Sequence, residues 1–250
     1  MAMSFILDLG AMIWKELREF FSAGGGRGRY IGLIVLGVFG IVLPLVASSG
    51  DWAASVVPPI EYGLYLPVIL ILSVGADSFA GERERHTLET LLASRLPDRA
   101  IFFGKLLAIT IFGWAQSLLA ALVALVVINL KAPGALTLYS LPNALSILGI
   151  GLLASLMGAA ATSLVSLRAA TVRQAQQILS IGLLVIVFGT SFGLQALSPD
   201  LRLKLLTNLA TSSFATLALE GAAVLAVITA ILVLAAMALF RRARLILSGS

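Results

Sequence analysis

The chain has 250 residues, 60% of them hydrophobic and 12% charged, with a mean hydropathy of +1.05, which excludes an ordinary soluble domain and defines an integral membrane protein. It holds no cysteine and a single histidine, His86, so disulfide frameworks, thiolate metal sites and centres built from several imidazoles are excluded. The net charge of +5 would suit nucleic acid, but the basic residues flank apolar runs, where a positive-inside bias accounts for them, and no nucleic-acid partner is expected.

Residues 1–23 open the chain. Asp8 interrupts their apolar part, and neither a basic leader nor a cleavage motif is present, so the stretch is expected to stay in the mature protein. Phe5, Ile6, Leu9, Met12, Ile13, Leu17, Phe20 and Phe21 recur at intervals of three and four, with Asp8, Lys15, Glu16, Arg18 and Glu19 between them. That pattern predicts an amphipathic helix lying in the headgroup plane, with Trp14 at the interface. Gly24, Gly25, Gly26, Arg27, Gly28 and Arg29 follow as a flexible basic hinge; the phosphate-binding pattern GxxxxGK[ST] occurs neither there nor elsewhere.

Runs of about 20 apolar residues mark membrane spans, and six are expected, at 30–48, 60–76, 100–130, 142–167, 178–197 and 221–240. The second is short and carries Glu61 and Pro67. The stretch 76–105 gathers charge that the rest of the sequence avoids: Glu82, Arg83, Glu84, Arg85 and Glu89 precede or interleave with Leu88, Leu91 and Leu92. This spacing predicts a short amphipathic helix over 81–93, supported by Arg85 and Glu89 at i, i+4. Such a helix at a membrane surface is shaped to be pushed on by something soluble. Asp77, near the end of the second span, is expected to pair with Arg83 or Lys105.

Lys and Arg cluster before the first span, between spans two and three, between four and five, and after the last. Both termini and the charged loop are therefore expected on the cytoplasmic side. On the opposite side, 198–220 predicts a pair of short external or re-entrant helices, with Leu201, Leu205, Leu206 and Leu209 on one face.

Polar residues within the spans are few. Gln116 and Gln195 are the candidates for a translocation path or for helix packing, and the scarcity of ionisable groups at depth argues against a proton relay or an ion-coupled carrier. HExxH is absent, and no catalytic residue is assigned. Gly151, Ser155, Ala159 and Ser163 in the fourth span, and Gly189 and Gly193 in the fifth, recur every four positions and permit close helix approach, within one chain or between two.

Glu82, Glu84, Thr87, Leu88, Glu89, Leu91, Leu92, Ser94, Pro97, Gly104 and Lys105 resemble, in order, the intracellular loop of the type 2 permeases of ATP-binding-cassette (ABC) exporters. His86 stands where that family usually has Gly, and Arg95 where it has Pro. The resemblance implies an all-α permease domain whose loop is a coupling helix. Glu82, Arg83, Glu84, Arg85, Thr87, Leu88, Glu89, Leu91 and Leu92 would then engage two cytoplasmic ABC ATPase subunits. It further implies no cofactor in this chain, ATP and Mg on the partner, a second permease subunit, surrounding lipid, and a prokaryotic plasma or inner membrane. A non-transporting scaffold that anchors a regulatory ATPase is the alternative.

Overall fold

A computed structural model describes residues 2–22, 27–47, 52–131, 136–211 and 213–240, and among these the chain is helical with no strand. Helix α1 (Ala2–Ser22) precedes a continuous rod made of α2 (Arg27–Gly37), a π-helical turn (Val38–Val42) and α3 (Leu43–Val46). A second π-helical turn (Pro59–Tyr65) leads into α4 (Leu66–Glu84). Pro67 there has no N–H to give and its ring would crowd a carbonyl four residues back, so the wider turn accommodates it without ending the helix. Then come α5 (Leu88–Leu92), α6 (Asp98–Lys131), α7 (Leu141–Arg168), α8 (Val172–Ala196), α9 (Pro199–Thr211) and α10 (Phe214–Leu239). Ser140, Thr171 and Ser213 start α7, α8 and α10 by accepting from the N–H groups of Asn143, Gln174 and Thr216, which satisfies donors that a helix start leaves open.

Among the described residues five helices are long and apolar enough to cross a membrane: Pro59–Glu84, Asp98–Lys131, Leu141–Arg168, Val172–Gly189 and Phe214–Leu239. The first expected span appears as a shorter apolar helix, Gly32–Val46. The segment 198–220 holds one short helix, α9, because Ser213 caps a helix that runs without a break from Phe214 into the last apolar run. The side chains of Leu205, Leu206 and Leu209 lie outside the described residues, and Leu201 is exposed.

Helix α7 is the centre of the packing, against α4, α6, α8 and α10. Its small residues Gly151, Ser155, Ala159 and Ser163 are all buried within the chain, and Ser166 accepts from the N–H groups of Phe79 and Ala80 while donating to the Ala76 carbonyl. Small faces of this kind let helix backbones approach closely. Helix α8 differs, for a Cβ added at Gly189 or Gly193 would meet no neighbouring element within 4 Å. At the far end from the charged loop, Lys131 donates to the carbonyls of Leu45 and Ala47, both at 2.8 Å, which ties the end of α6 to the C-terminus of α3.

Candidate functional site

The charged stretch forms two helices where one was expected over 81–93. Helix α4 runs through Glu84 and is closed by a turn in which Thr87 N–H donates to the Glu82 carbonyl (2.9 Å) and His86 N–H to the Arg83 carbonyl (3.1 Å). This pair of bonds ends a helix around one left-handed residue, normally glycine. His86 takes that place with φ of 55°, the one non-glycine residue at positive φ among those described. Its Cβ makes that conformation costly. His86→Gly is therefore expected to stabilise the chain by about 0.5–1 kcal/mol, seen as a higher thermal midpoint for the purified chain in mild detergent; an unchanged or lower midpoint counts against this geometry.

The charges of this turn are used inside the molecule. Arg83 donates to the carbonyls of Ala169 and Leu167, the latter at 3.1 Å, at the C-terminus of α7, where a cation complements the helix dipole. The Glu84 carboxylate accepts from Val172 N–H at 3.2 Å, at the N-terminus of α8, which complements the opposite end. Arg85 pairs with Asp77 at 3.2 Å and with Glu19 at 3.8 Å. Asp77 thus meets Arg85 where Arg83 or Lys105 was expected, because those two are engaged elsewhere, and Arg85 makes no helical pair with Glu89 because the helix has already ended.

Beneath this turn lies an ion cluster that joins three elements. Lys105, near the start of α6 and only 1% exposed, places Nζ 2.9 Å from Glu16 of α1 and 3.2 Å from Glu82 of α4, whose side chains are 3% and 5% exposed. Lys15 approaches Glu82 at 3.2 Å, Glu16 at 3.3 Å and Glu19 at 3.7 Å from a half-exposed position. Its burial works against the charge, and Glu16, Glu82 and Glu19 more than offset that, holding it above the ordinary lysine value. The Thr87 hydroxyl donates to the Glu82 carboxylate, and Lys105 lies 5.6 Å from the centre of the Phe79 ring. Glu16, Glu19 and Glu82 present oxygens within 4.8 Å of one another, a set able to hold a cation, but here the ammonium groups of Lys15 and Lys105 supply the positive charge.

Helix α1 reaches the cluster by lying along α6. Met12 faces Gly104, where a Cβ would come within 2.4 Å of Met12 Cγ, and the rings of Phe20 and Phe112 meet edge to face at 5.6 Å. Eight residues separate these contacts on each helix, so the two run side by side in one direction for about 12 Å. Ile6, Leu7 and Trp14 face away and are exposed. Helix α6 has 34 residues, about 50 Å in length against a hydrocarbon core of about 30 Å. Carboxylates of α1 and α4 and the Phe79 ring surround the Lys105 ammonium.

Helix α5 turns its apolar side inward. Leu88 is buried and Leu91 half-buried against a core that includes Phe79, Ile101 and Phe102, while the side chain of Leu92 lies outside the described residues. His86, Glu89 and Thr90 are exposed. Gln116 is half-buried on α6, whereas Gln195 is exposed near the end of α8. The contribution of α1 to this site went unread in the sequence, although Glu16 lies four residues from both Met12 and Phe20, inside the stripe that packs.

A bundle of long apolar helices of this kind defines a multi-pass membrane protein. A sequence profile described as "ABC-2 family transporter protein" matches residues 31–241. The chain belongs to that family and is a type 2 ABC permease, the transmembrane component of a transporter. Among curated proteins nothing matches. Helix α1 lies before the matched segment.

Proposed function

We propose that this chain is the translocating subunit of an ATP-driven exporter, with the rod 27–46 as its first span, six spans in all, and both termini and the charged loop in the cytoplasm. Membership of the ABC-2 family supports transport. The observation that carries the coupling role is the loop itself: two long helices converge on a turn braced from below by ion pairs and helix caps, with His86, Glu89 and Thr90 left outward. Of the residues marked by the family resemblance, Glu82, Arg83, Glu84, Arg85, Thr87 and Leu88 brace this turn, and Glu89 with its exposed neighbours receives the partner. The work comes from a cytoplasmic ABC ATPase, with which permeases of this family generally pair, and two copies of it hold ATP and Mg beneath two permease subunits. Closure of the ATPase pair shifts α5, and α4 and α6 carry that shift as rigid bodies.

The wild-type chain is expected to co-purify with an ABC ATPase. Glu89→Arg with Thr90→Arg should weaken that association by about tenfold or more, measured by quantifying retained ATPase at equal permease recovery. Full retention by the double variant, or no ATPase on the wild-type chain, rejects this role for the loop.

A further inference from the structure

Glu61 stands at the opposite end from the charged loop, in the first turn of the helical run Pro59–Glu84. Its Oε2 is buried with no hydrogen-bond partner among the described residues. A carboxylate covered in this way is costly unless a donor or a positive charge meets it. Tyr62, Tyr139, Asn143 and Lys131, which could donate at this end, are all turned to backbone carbonyls at 2.7 to 3.0 Å. They leave Glu61 unserved.

What stands beside this carboxylate is aromatic. Tyr62 and Tyr139 both lie within its electrostatic reach, and the centre of the Trp52 ring is 6.1 Å from the centre of each of theirs. Faces of such rings attract cations. Glu61 and Tyr62 also belong to the π-helical turn Pro59–Tyr65, and the Tyr62 hydroxyl donates to Phe39 in the other π-helical turn. Turns of this kind are frequent at functional sites, and here the two meet at the aromatic group.

We propose that Glu61, with the rings of Trp52, Tyr62 and Tyr139 beside it, is a binding site for the ammonium group of an apolar amine. Under the transport role proposed above, on which this part rests, such amines are cargo. The ligand class follows from the composition of the site. A hard metal ion needs several oxygens around it, and one carboxylate among rings does not supply them. An ammonium needs one carboxylate for its charge and accepts aromatic faces for the rest. The apolar body of the amine then lies beside the exposed Ile60 and Tyr65.

The chain alone, in phosphatidylcholine nanodiscs and without its ATPase, is titrated with monodansylcadaverine, a primary amine that is charged at pH 7. The uncharged N-acetyl derivative is the matched probe. Fluorescence anisotropy above that of empty nanodiscs should rise and saturate with the amine and stay flat with the derivative. Glu61→Gln keeps the shape and removes the charge, and should weaken binding of the amine about tenfold or more. Glu220→Gln, at an exposed carboxylate in the first turns of α10 at the same end, should leave it unchanged. Without probe, Glu61→Gln should melt at or above the wild type, because an unpartnered charge is gone; with probe, only the wild type should gain thermal stability.

No saturation with the amine, equal binding of the two probes, or equal binding by wild type and Glu61→Gln overturns the proposal. So does a Glu61→Gln chain that melts well below the wild type, which would reveal a partner inside the protein. Displacement of the amine by sodium chloride but not by choline chloride marks a metal-ion site and overturns the ligand class. Since no ATPase is present, a failed titration leaves the coupling role of the loop intact, and failed co-purification with an ATPase leaves the titration intact.

Discussion

Lys105→Met is expected to destabilise the purified chain by about 3–5 kcal/mol, the range found when one partner of a buried ion pair is removed. Methionine matches the length of the lysine stem, so packing against Phe79 and the apolar wall changes little and the loss is electrostatic. Glu16 and Glu82 would then face one another with Lys15 as the remaining ammonium within reach, and that group is half-exposed. The desolvation of two carboxylates would no longer be offset, and the Thr87 hydroxyl bond to Glu82 cannot replace a full charge. Unfolding in mild detergent measures the loss. The triple variant Lys105→Met, Glu16→Gln and Glu82→Gln should be substantially more stable than Lys105→Met alone, because it removes the uncompensated charge along with its partner. A single variant as stable as the wild type, or a triple variant worse than the single, means that the three groups are not packed as described.

Why this joint was hidden while the spans were legible follows from the length scale of each signal. Apolar runs announce themselves within 20 residues, and α6, α7 and α8 appear close to where hydropathy places them. Helix α10 starts earlier than the apolar run because Ser213 caps it, a contact too local for hydropathy to weigh. The charged turn was also visible, but its division in two depends on His86 adopting a conformation that its side chain disfavours, and sequence alone gives that low weight. The ion cluster is different in kind. Glu16, Glu82 and Lys105 are separated by 66 and 23 positions, and each looks from its neighbours like an ordinary surface charge. One clue was present: a lysine opening an apolar helix must find a counter-charge, and Glu16 is the acidic residue within the apolar stripe of α1.

Gly75→Ala should destabilise the chain by about 1–3 kcal/mol, the usual penalty for forcing a methyl group into a filled interior, although in most helix interiors the same change is favourable by about 1 kcal/mol. The reversal comes from α7. A Cβ at Gly75 would lie 2.0 Å from Thr162 Oγ1, 2.5 Å from its Cβ and 3.1 Å from its Cγ2. Rotating the threonine cannot clear that overlap, because its Cβ does not move with χ1 and its hydroxyl is bonded to the Gly158 carbonyl at 2.8 Å. The helices must part instead, which loosens the contact that Ser166 makes with α4 one turn further along. Thr162→Ala in the same chain should recover only part of the loss, since the Cβ overlap persists, and Thr162→Gly should recover more. Gly182→Ala on α8, where nothing lies within 4 Å, is the matched control and should be neutral or stabilising. If thermal midpoints show Gly75→Ala and Gly182→Ala behaving alike, α4 and α7 are not in backbone contact, and α4 then lacks the rigid support that would let a push at the loop reach the rest of the bundle.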